Sequence, residues 1–200
     1  MSFAKHNPII NEYAQRSPEN MKAMIACVSL SIRQQWHTIG VQMADWRENG
    51  RHSKYIFGNK RATFEYLDEH IEELYQDAVA CAQNPAALML VFMRIPGIGM
   101  VKAGFCCQLW NGSVGCIDSH NANNYDFPPG LLKTPKGLKP ATLRAKVDQY
   151  IHWCGLRRSE FLWNRWCQII AAKYPKRWAD YSHVSAAHVE FIVADWDGAA

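Results

Sequence analysis

A turn of sequence Ile-Pro-Gly-Ile-Gly, residues 95–99, lies between two apolar segments and limits what this chain can fold into. Asn84-Pro85 is a typical helix start, and the apolar residues after it predict a helix over about 86–93. Proline disfavours helix in the residue before it, so this helix must stop at Ile95. A second apolar segment begins near Gly99 and ends before Gly112. The sequence therefore predicts a helical hairpin over residues 86–110.

The glycines of this turn have a physical use. Glycine lets the backbone approach another molecule closely and adopt positive φ. The N–H groups from Gly97 to Met100 lie at the start of a helix, where free donors and the helix dipole attract a phosphate. Pro96 fixes how the chain enters the turn, and Ile98 can pack into the core. We expect nucleic-acid backbone contacts at Pro96, Gly97, Ile98, Gly99 and Met100, although many ordinary helix connections share the pattern.

The rest of the chain has apolar residues at helical spacing and no segment typical of a strand. We expect loops over Arg47–Asn59, which is polar, and Phe127–Pro140, which contains four prolines. Val114–Asp118 is expected to be extended, and the polar stretch Ser119–Asn124 follows it. Further helices are expected over Ser17 to about Gln35, Phe64–Cys81, Thr142–Gly155 and about Ser159 to Tyr174. The predicted fold class is all-α.

Length and charge narrow the possible functions only slightly. The 200 residues suffice for one unit with a packed core, and a hydrophobic fraction of 48% predicts a folded chain. The net charge of +4 is too small to identify a partner. Between Leu131 and Asp180, however, eleven Lys and Arg residues are opposed by only three acidic residues. Such a surface suits a polyanion, and it equally fits the solvated face of a soluble protein.

Seven cysteines without regular spacing predict free thiols in a reducing, intracellular setting. We expect no signal peptide, since residues 1–11 lack a continuous apolar run. No apolar run approaches the roughly 18 residues that a membrane span needs, so no membrane partner is expected. No metal site is expected either, because Cys106, Cys107 and Cys116 suit a packed core as small apolar residues.

A second motif, of sequence Ile-Asp-Ser-His at residues 117–120, follows the predicted hairpin. Asp118 lies 19 residues after Gly99. The predicted helix between them has the length that brings the Asp118 carboxylate back near the hairpin. Aspartate before Ser-His-Asn is also a common helix N-cap. Capping and a chemical role are compatible, so both remain open for Asp118.

Together, residues 95–120 resemble the endonuclease III-like helix-hairpin-helix DNA glycosylase superfamily. The pattern of that family is Leu-Pro-Gly-Val-Gly, a helix, and then Val-Asp-Thr-His. The resemblance implies that residues 1–200 form a single unit of two helical lobes around a cleft, and that its partner is double-stranded DNA. Some members bind an iron–sulfur cluster through four C-terminal cysteines, but here only Cys154 and Cys167 lie near the C-terminus. We therefore expect no cluster, and we expect a monomer.

The resemblance also implies a mechanism in which a nucleotide is flipped out of the duplex into the cleft. Asp118 matches the family's aspartate, which stabilises positive charge on the sugar and orients or deprotonates the nucleophile. His120 is a candidate catalytic base or contact of the flipped nucleotide, and a structural hydrogen bond at the helix start is the alternative. Gln35 loosely matches a glutamine that fills the gap left by the flipped base.

Bifunctional members carry a lysine two residues after the last glycine of the turn, where it forms a Schiff base with the sugar. This chain has Val101 there and Lys102 next. One residue along a helix turns the side chain by about 100°, so we expect Lys102 to contact a phosphate and the protein to lack lyase activity. A monovalent cation bridging the hairpin carbonyls and a phosphate is compatible with the motif, and no other cofactor is expected.

The sequence leaves three functions open. The leading hypothesis is a monofunctional DNA glycosylase for a damaged or modified base. Glycosylase-like proteins of phages also transfer an amino acid or polyamine to an activated pyrimidine, thymine included, in DNA. Asn121, Asn123 and Asn124, which depart from the family pattern, suit that transfer equally well. The third hypothesis is a non-catalytic module that binds DNA or a protein, and Asp118 argues against it, since a phosphate binder gains nothing from an anion.

Overall fold

The computed structural model describes residues 6–32, 34–125, 127–134, 137–155 and 158–194. Within these ranges every regular element is a helix, which confirms the all-α prediction. Short 3₁₀-helices lie at Trp36–Thr38, Gly50–His52 and Pro129–Leu132. The α-helices are α1 (Asn7–Ala14), α2 (Pro18–Leu30), α3 (Ile39–Asn49), α4 (Asn59–Ala80), α5 (Pro85–Met93), α6 (Met100–Trp110), α7 (Ser119–Tyr125), α8 (Pro140–Gly155), α9 (Ser159–Lys173) and α10 (Tyr181–Ile192).

The predicted hairpin is formed by α5 and α6, which pack against each other. The side chain of Asn84 caps α5 by accepting a hydrogen bond from the N–H of Ala87 at 3.1 Å. Ser17 caps α2 in the same way, with the N–H of Asn20 as the donor at 3.2 Å. These caps satisfy backbone donors that the first turn of a helix leaves free, and both helices begin where the sequence predicts.

The predicted end of α2 at Gln35 is wrong, because the helix stops at Leu30. The hydroxyl of Ser31 donates to the carbonyl of Val28 at 2.7 Å, a local bond that competes with helix continuation. The chain then turns and buries Trp36, whose ring centroid lies 3.8 Å from that of His188 in α10. A packing contact with a distant helix therefore sets this boundary.

Three helices lie where no helix was predicted, namely α1, α3 and α10. The predicted loop Arg47–Asn59 is helical at its start, because α3 extends to Asn49. The polar stretch after Asp118 is the helix α7. Helix α8 begins at Pro140, two residues before the predicted cap at Thr142. Residues 114–118 form neither a helix nor a strand.

Helix α2 lies at the centre of the molecule and packs against α1, α3, α4, α6 and α10. Its residues Met24, Ile25 and Val28 are completely buried. The seven cysteines are free thiols, as expected, and several serve the core as small apolar residues. Burial raises the pKa of Cys27 to about 12, so this thiol stays protonated and unreactive at neutral pH.

The side chain of Tyr150 in α8 packs closely against α6 at Gly104. A Cβ atom at Gly104 would lie 2.6 Å from the Tyr150 hydroxyl oxygen and 2.9 Å from the carbonyl oxygen of Gly115. The buried Tyr150 hydroxyl donates to the Gly115 carbonyl at 3.1 Å and accepts from the N–H of Ile117 at 2.8 Å. This pair of hydrogen bonds fixes the segment that leads directly to Asp118.

The substitution Tyr150→Phe removes this hydroxyl and leaves the N–H of Ile117 buried without its partner. We expect the free energy of unfolding to fall by about 1–3 kcal/mol, the cost of an unsatisfied buried donor, as measured by urea denaturation. Tyr75→Phe is the control, since the Tyr75 hydroxyl donates to Gln15 at an exposed site and its loss should cost less. Equal losses in the two variants would contradict the role given to Tyr150.

Candidate active site

The turn between α5 and α6 is held by hydrogen bonds from both sides. Gly97 has a φ of +84°, a left-handed conformation that favours glycine. The Thr63 hydroxyl of α4 donates to the carbonyl of Pro96 at 2.6 Å. Ile98 is buried, and its N–H donates to the carbonyl of Ile95 at 3.0 Å. The expectation that Ile98 packs into the core is therefore confirmed.

The backbone donors of the turn are not all available to a phosphate. The N–H of Met100 donates to the Thr134 hydroxyl at 3.0 Å, and the Met100 side chain is buried. Within the described residues, no group accepts a hydrogen bond from the N–H of Gly97 or of Gly99. The free donors of the turn are thus those of the two glycines, and Met100 differs from its expected role.

The carboxylate of Asp118 connects two helices. Its Oδ1 atom accepts a hydrogen bond from the N–H of Asn121 at 2.9 Å, which makes Asp118 the N-cap of α7. Its Oδ2 atom accepts from the indole N–H of Trp166 in α9 at 2.8 Å. Each oxygen keeps lone-pair capacity for a further donor. The carboxylate is half-buried. The hydrogen bonds from Asn121 and Trp166 together fix its orientation, which neither bond would do alone.

A cavity of about 200 Å³ lies beside Asp118. Its walls come from the end of α2 and the segment after it, from α6, from Cys116 to α7, and from α9 and α10. The aromatic rings that line it are Trp36, Phe105, Trp163, Trp166, Tyr174 and His188. This volume is below the roughly 300–1,000 Å³ of pockets for drug-sized ligands, so the cavity suits a smaller ligand.

Lys102 lines the same cavity as Asp118. Its Nζ atom donates to the Ser31 hydroxyl at 3.1 Å and lies 5.4 Å from the centroid of the Phe105 ring. The neighbouring Val101 makes a backbone contact, because its carbonyl accepts a hydrogen bond from the Cys116 thiol at 3.8 Å. The structure thus places Lys102 at the cavity, and its contact with a phosphate and the lack of lyase activity stay predictions.

A second lysine, Lys60, lies close to Lys102 at the end of α2. Its Nζ atom donates to the carbonyl of Leu30 at 3.0 Å, beside Ser31, which binds Lys102. Burial and the positive charge of Lys102 lower the pKa of Lys60. Two cations held close together favour an anion near them. The free carbonyls at the C-terminal end of α2 stabilise positive charge and help to hold both lysines there.

Two buried polar side chains that line the cavity have an acceptor atom without a hydrogen-bond partner among the described residues. The Nδ2 atom of Asn121 donates to the carbonyls of Cys116 and Leu162 at 2.9 and 3.2 Å, which leaves Oδ1 unpartnered. The Nδ1 atom of His188 lies 3.0 Å from the carbonyl of Val184, which leaves Nε2 unpartnered. Sequence analysis missed His188, since α10 was not expected.

A basic segment at residues 51–61 adjoins the hairpin, because Thr63 at the start of α4 binds Pro96. Sequence analysis treated most of this segment as a polar loop and did not use its charges. Arg51, Lys54 and Arg61 line an open groove together with Glu65 of α4, and the Phe57 ring there is 56% exposed. The basic residues of the segment are Arg51, His52, Lys54, Lys60 and Arg61.

The remaining expected site residues lie at or near the cavity. His120 is half-buried on α7 and lines the cavity, and the exposed Gln35 lines it from the segment after α2. Of the eleven basic residues between 131 and 180, Lys136 and Arg157 lie outside the described residues. Most of the others are exposed, and Lys173 lies at the cavity.

The cap geometry of Asp118 gives a stability prediction. We expect Asp118→Ala to lower the free energy of unfolding by about 0.5–2 kcal/mol, because an N-cap is lost. Asp118→Asn should cost less, since the amide oxygen still caps α7, although both variants leave the indole N–H of Trp166 without its acceptor. Asp180→Ala is a matched control, because Asp180 caps α10 through the N–H of Ser182 at 2.8 Å. Urea denaturation measures all three, and an equal loss in Asp118→Asn and Asp118→Ala would contradict the cap.

His188 gives a pH dependence. Burial lowers the pKa of His188 from 6.5 to about 3, so below pH 6.5 the unfolded chain binds a proton that the folded chain excludes. Stability from the neutral ring is present above pH 6.5 and falls towards pH 3, with a slope of up to about 1.4 kcal/mol per pH unit. Stability curves of the wild type and His188→Phe should diverge over this range, while the exposed His183→Ala should follow the wild type. Parallel curves for His188→Phe would contradict the shift.

The wider comparisons leave the chain without an assigned family. Comparison with protein-family models, with curated proteins and with solved structures gives no match. In the described part of the chain, no group of three or more His, Cys, Asp or Glu residues is placed to hold a metal ion. No helix there has the length and apolar composition to cross a membrane. A function must therefore be argued from the site itself.

Proposed function

We propose that this protein is a monofunctional DNA glycosylase-like enzyme that flips a damaged or modified base out of double-stranded DNA and cleaves its N-glycosidic bond. The observation that carries the proposal is the Asp118 carboxylate, held by Trp166 and the N–H of Asn121 at the wall of an aromatic-lined cavity. The fold assignment to the helix-hairpin-helix glycosylase superfamily is part of the same proposal and rests on residues 95–120.

Donors and cations near the cavity support DNA as the partner. The free N–H groups of Gly97 and Gly99 precede the first turn of α6, where an anion is favoured. Lys60 and Lys102 lie together at the end of α2, and the basic segment 51–61 adjoins the hairpin. A duplex bound over these groups places its phosphates on positive charge, and binding should weaken with salt.

The position of Asp118 suits the cleavage of a glycosidic bond. As the C1′–N bond breaks, its electron pair leaves with the base and positive charge develops on the sugar. A carboxylate beside that sugar stabilises the charge. Water then adds its oxygen to C1′, and the proton that it releases ends on the departed base or in solvent. The hydrogen bonds from Trp166 and Asn121 keep the carboxylate in place throughout.

Lys102 has a binding role in this proposal. Its ammonium group donates to Ser31 and lies over the Phe105 ring, which anchors it beside the cavity. There it attracts the phosphate that flanks the flipped nucleotide. A monovalent cation that bridges the turn carbonyls and a phosphate stays a prediction, since the carbonyl oxygens of Ile95 and Pro96 each accept one hydrogen bond and keep a second lone pair.

The test is incubation with duplexes that contain uracil or oxidised, alkylated or 5-substituted bases, followed by mass spectrometry of the nucleosides. We expect abasic sites from one of these duplexes, with the rate lowered at least about 100-fold in Asp118→Asn, the scale of a lost electrostatic contact in a transition state. Asp180→Ala, which removes a cap away from the cavity, should keep the wild-type rate.

Other outcomes would contradict the proposal in distinguishable ways. A mass gain that needs an amine co-substrate would identify the transfer reaction instead. Salt-sensitive binding without any product would identify a non-catalytic module. Strand cleavage that borohydride traps as a protein–DNA adduct, and that Lys102→Ala abolishes, would show a lyase. Full activity in Asp118→Asn would remove the catalytic role of this residue.

A further inference from the structure

The cavity beside Asp118 has buried acceptors that the proposed bond cleavage does not use. The side chains of Asn121 and His188 are 2% and 0% exposed, and both line the cavity. A buried polar atom without a hydrogen bond costs free energy. Such atoms in a native fold indicate a missing partner. Among the described residues that line this cavity there are three, namely the indole N–H donor of Trp36 and the acceptors of Asn121 and His188.

The chemistry of the two acceptors is fixed by their neighbours. Asn121 donates through Nδ2 to two carbonyls, which accept only, so its Oδ1 atom can only be the acceptor. His188 faces the carbonyl of Val184 with Nδ1, so the proton lies there and Nε2 carries a lone pair. Because burial also lowers the pKa of His188, the ring stays neutral at physiological pH. Both atoms therefore need a donor.

The walls around these acceptors suit a planar ring. The centroid of the His188 ring lies 3.8 Å from that of Trp36, 4.3 Å from that of Trp163 and 5.3 Å from that of Trp166. This packing prevents His188 from turning away from the cavity. Aromatic surfaces bind any nucleobase by stacking, whereas hydrogen bonds distinguish one base from another.

We propose that His188 and Asn121 are specificity-determining residues that select a nucleobase carrying N–H donors on the edge away from the sugar. The inference rests on the proposed function for the claim that the occupant of the cavity is a base. An exocyclic amino group supplies two N–H donors and satisfies both acceptors, whereas an imide base such as uracil supplies one. Amino bases and imide bases both donate hydrogen bonds through N–H groups, and the experiment below distinguishes between them.

The test uses the full chain and free methylated bases, which lack a sugar and cannot be cleaved. Three pairs are compared by tryptophan fluorescence: 1-methylcytosine and 9-methyladenine against their N,N-dimethylamino forms, and 1-methyluracil against 1,3-dimethyluracil. We expect the N–H form to bind roughly tenfold more tightly in at least one pair, the scale of one or two hydrogen bonds. A preference in the amino pairs assigns an amino base, and one confined to the uracil pair assigns an imide base.

The variant His188→Phe keeps an aromatic ring and removes the acceptor, so the preference should fall below about threefold while stacking remains. Its melting temperature should stay the same or rise, because a buried unpartnered nitrogen is removed. This combination separates a binding role from a structural one. His183→Ala, an exposed position on the same helix, should keep both the preference and the melting temperature.

Equal binding within every pair, no binding of any base, or an unchanged preference in a folded His188→Phe protein would each overturn the inference. Failure of this inference is distinguishable from failure of the proposed function. A preference without any reaction on duplexes leaves the cavity as a base-binding site and removes the reaction. Abasic sites on duplexes without a preference retain the reaction and remove the selecting role of His188 and Asn121.

Discussion

The carboxylate of Asp118 is the contact on which the geometry of the candidate site depends. One oxygen caps α7 and the other holds the indole of Trp166 in α9, so the two helices are positioned by the group proposed to act in the reaction. The Tyr150 hydroxyl fixes the segment just before it. A carboxylate held in this way needs no rearrangement when positive charge develops beside it, which is the basis of electrostatic preorganisation.

The sequence predicts the hairpin well because its signals are local. Proline and glycine in the turn, the Asn84 cap and the apolar segments act within a few residues, and the helices begin and end close to the expected positions. The N-cap role of Asp118 is local in the same sense and is confirmed. Long-range packing decides the features that were missed. The end of α2 depends on burial of Trp36 against α10.

The side chains around the cavity were harder to predict for the same reason. Helix geometry alone does not predict where Lys102 lies relative to Asp118, and contacts with Ser31 and Phe105 hold its side chain at the cavity. Trp166 carries no local signal for its role as a donor to Asp118, because that role depends on how α9 packs against α7. His188 carries no sequence signal, because a histidine within an unrecognised helix has no motif around it.

Several groups in and near the cavity lower the stability of the folded protein. Unpartnered acceptors on Asn121 and His188, and the neighbouring charges of Lys60 and Lys102, each cost free energy in the unliganded protein. A fold tolerates such costs where a ligand relieves them. An anion relieves the lysine pair, and donors on a base relieve the acceptors. The two kinds of unsatisfied group together match a nucleotide, which has both a phosphate and a base.

The most direct test of the central claim measures whether Asp118 favours positive charge at the sugar. Two duplexes are compared, one with a cationic pyrrolidine in place of the sugar and one with a neutral tetrahydrofuran. We expect the wild type to bind the pyrrolidine duplex at least about tenfold more tightly, or ~1.4 kcal/mol, and Asp118→Asn to lose this difference. Equal affinity of the wild-type protein for the two duplexes would contradict the account.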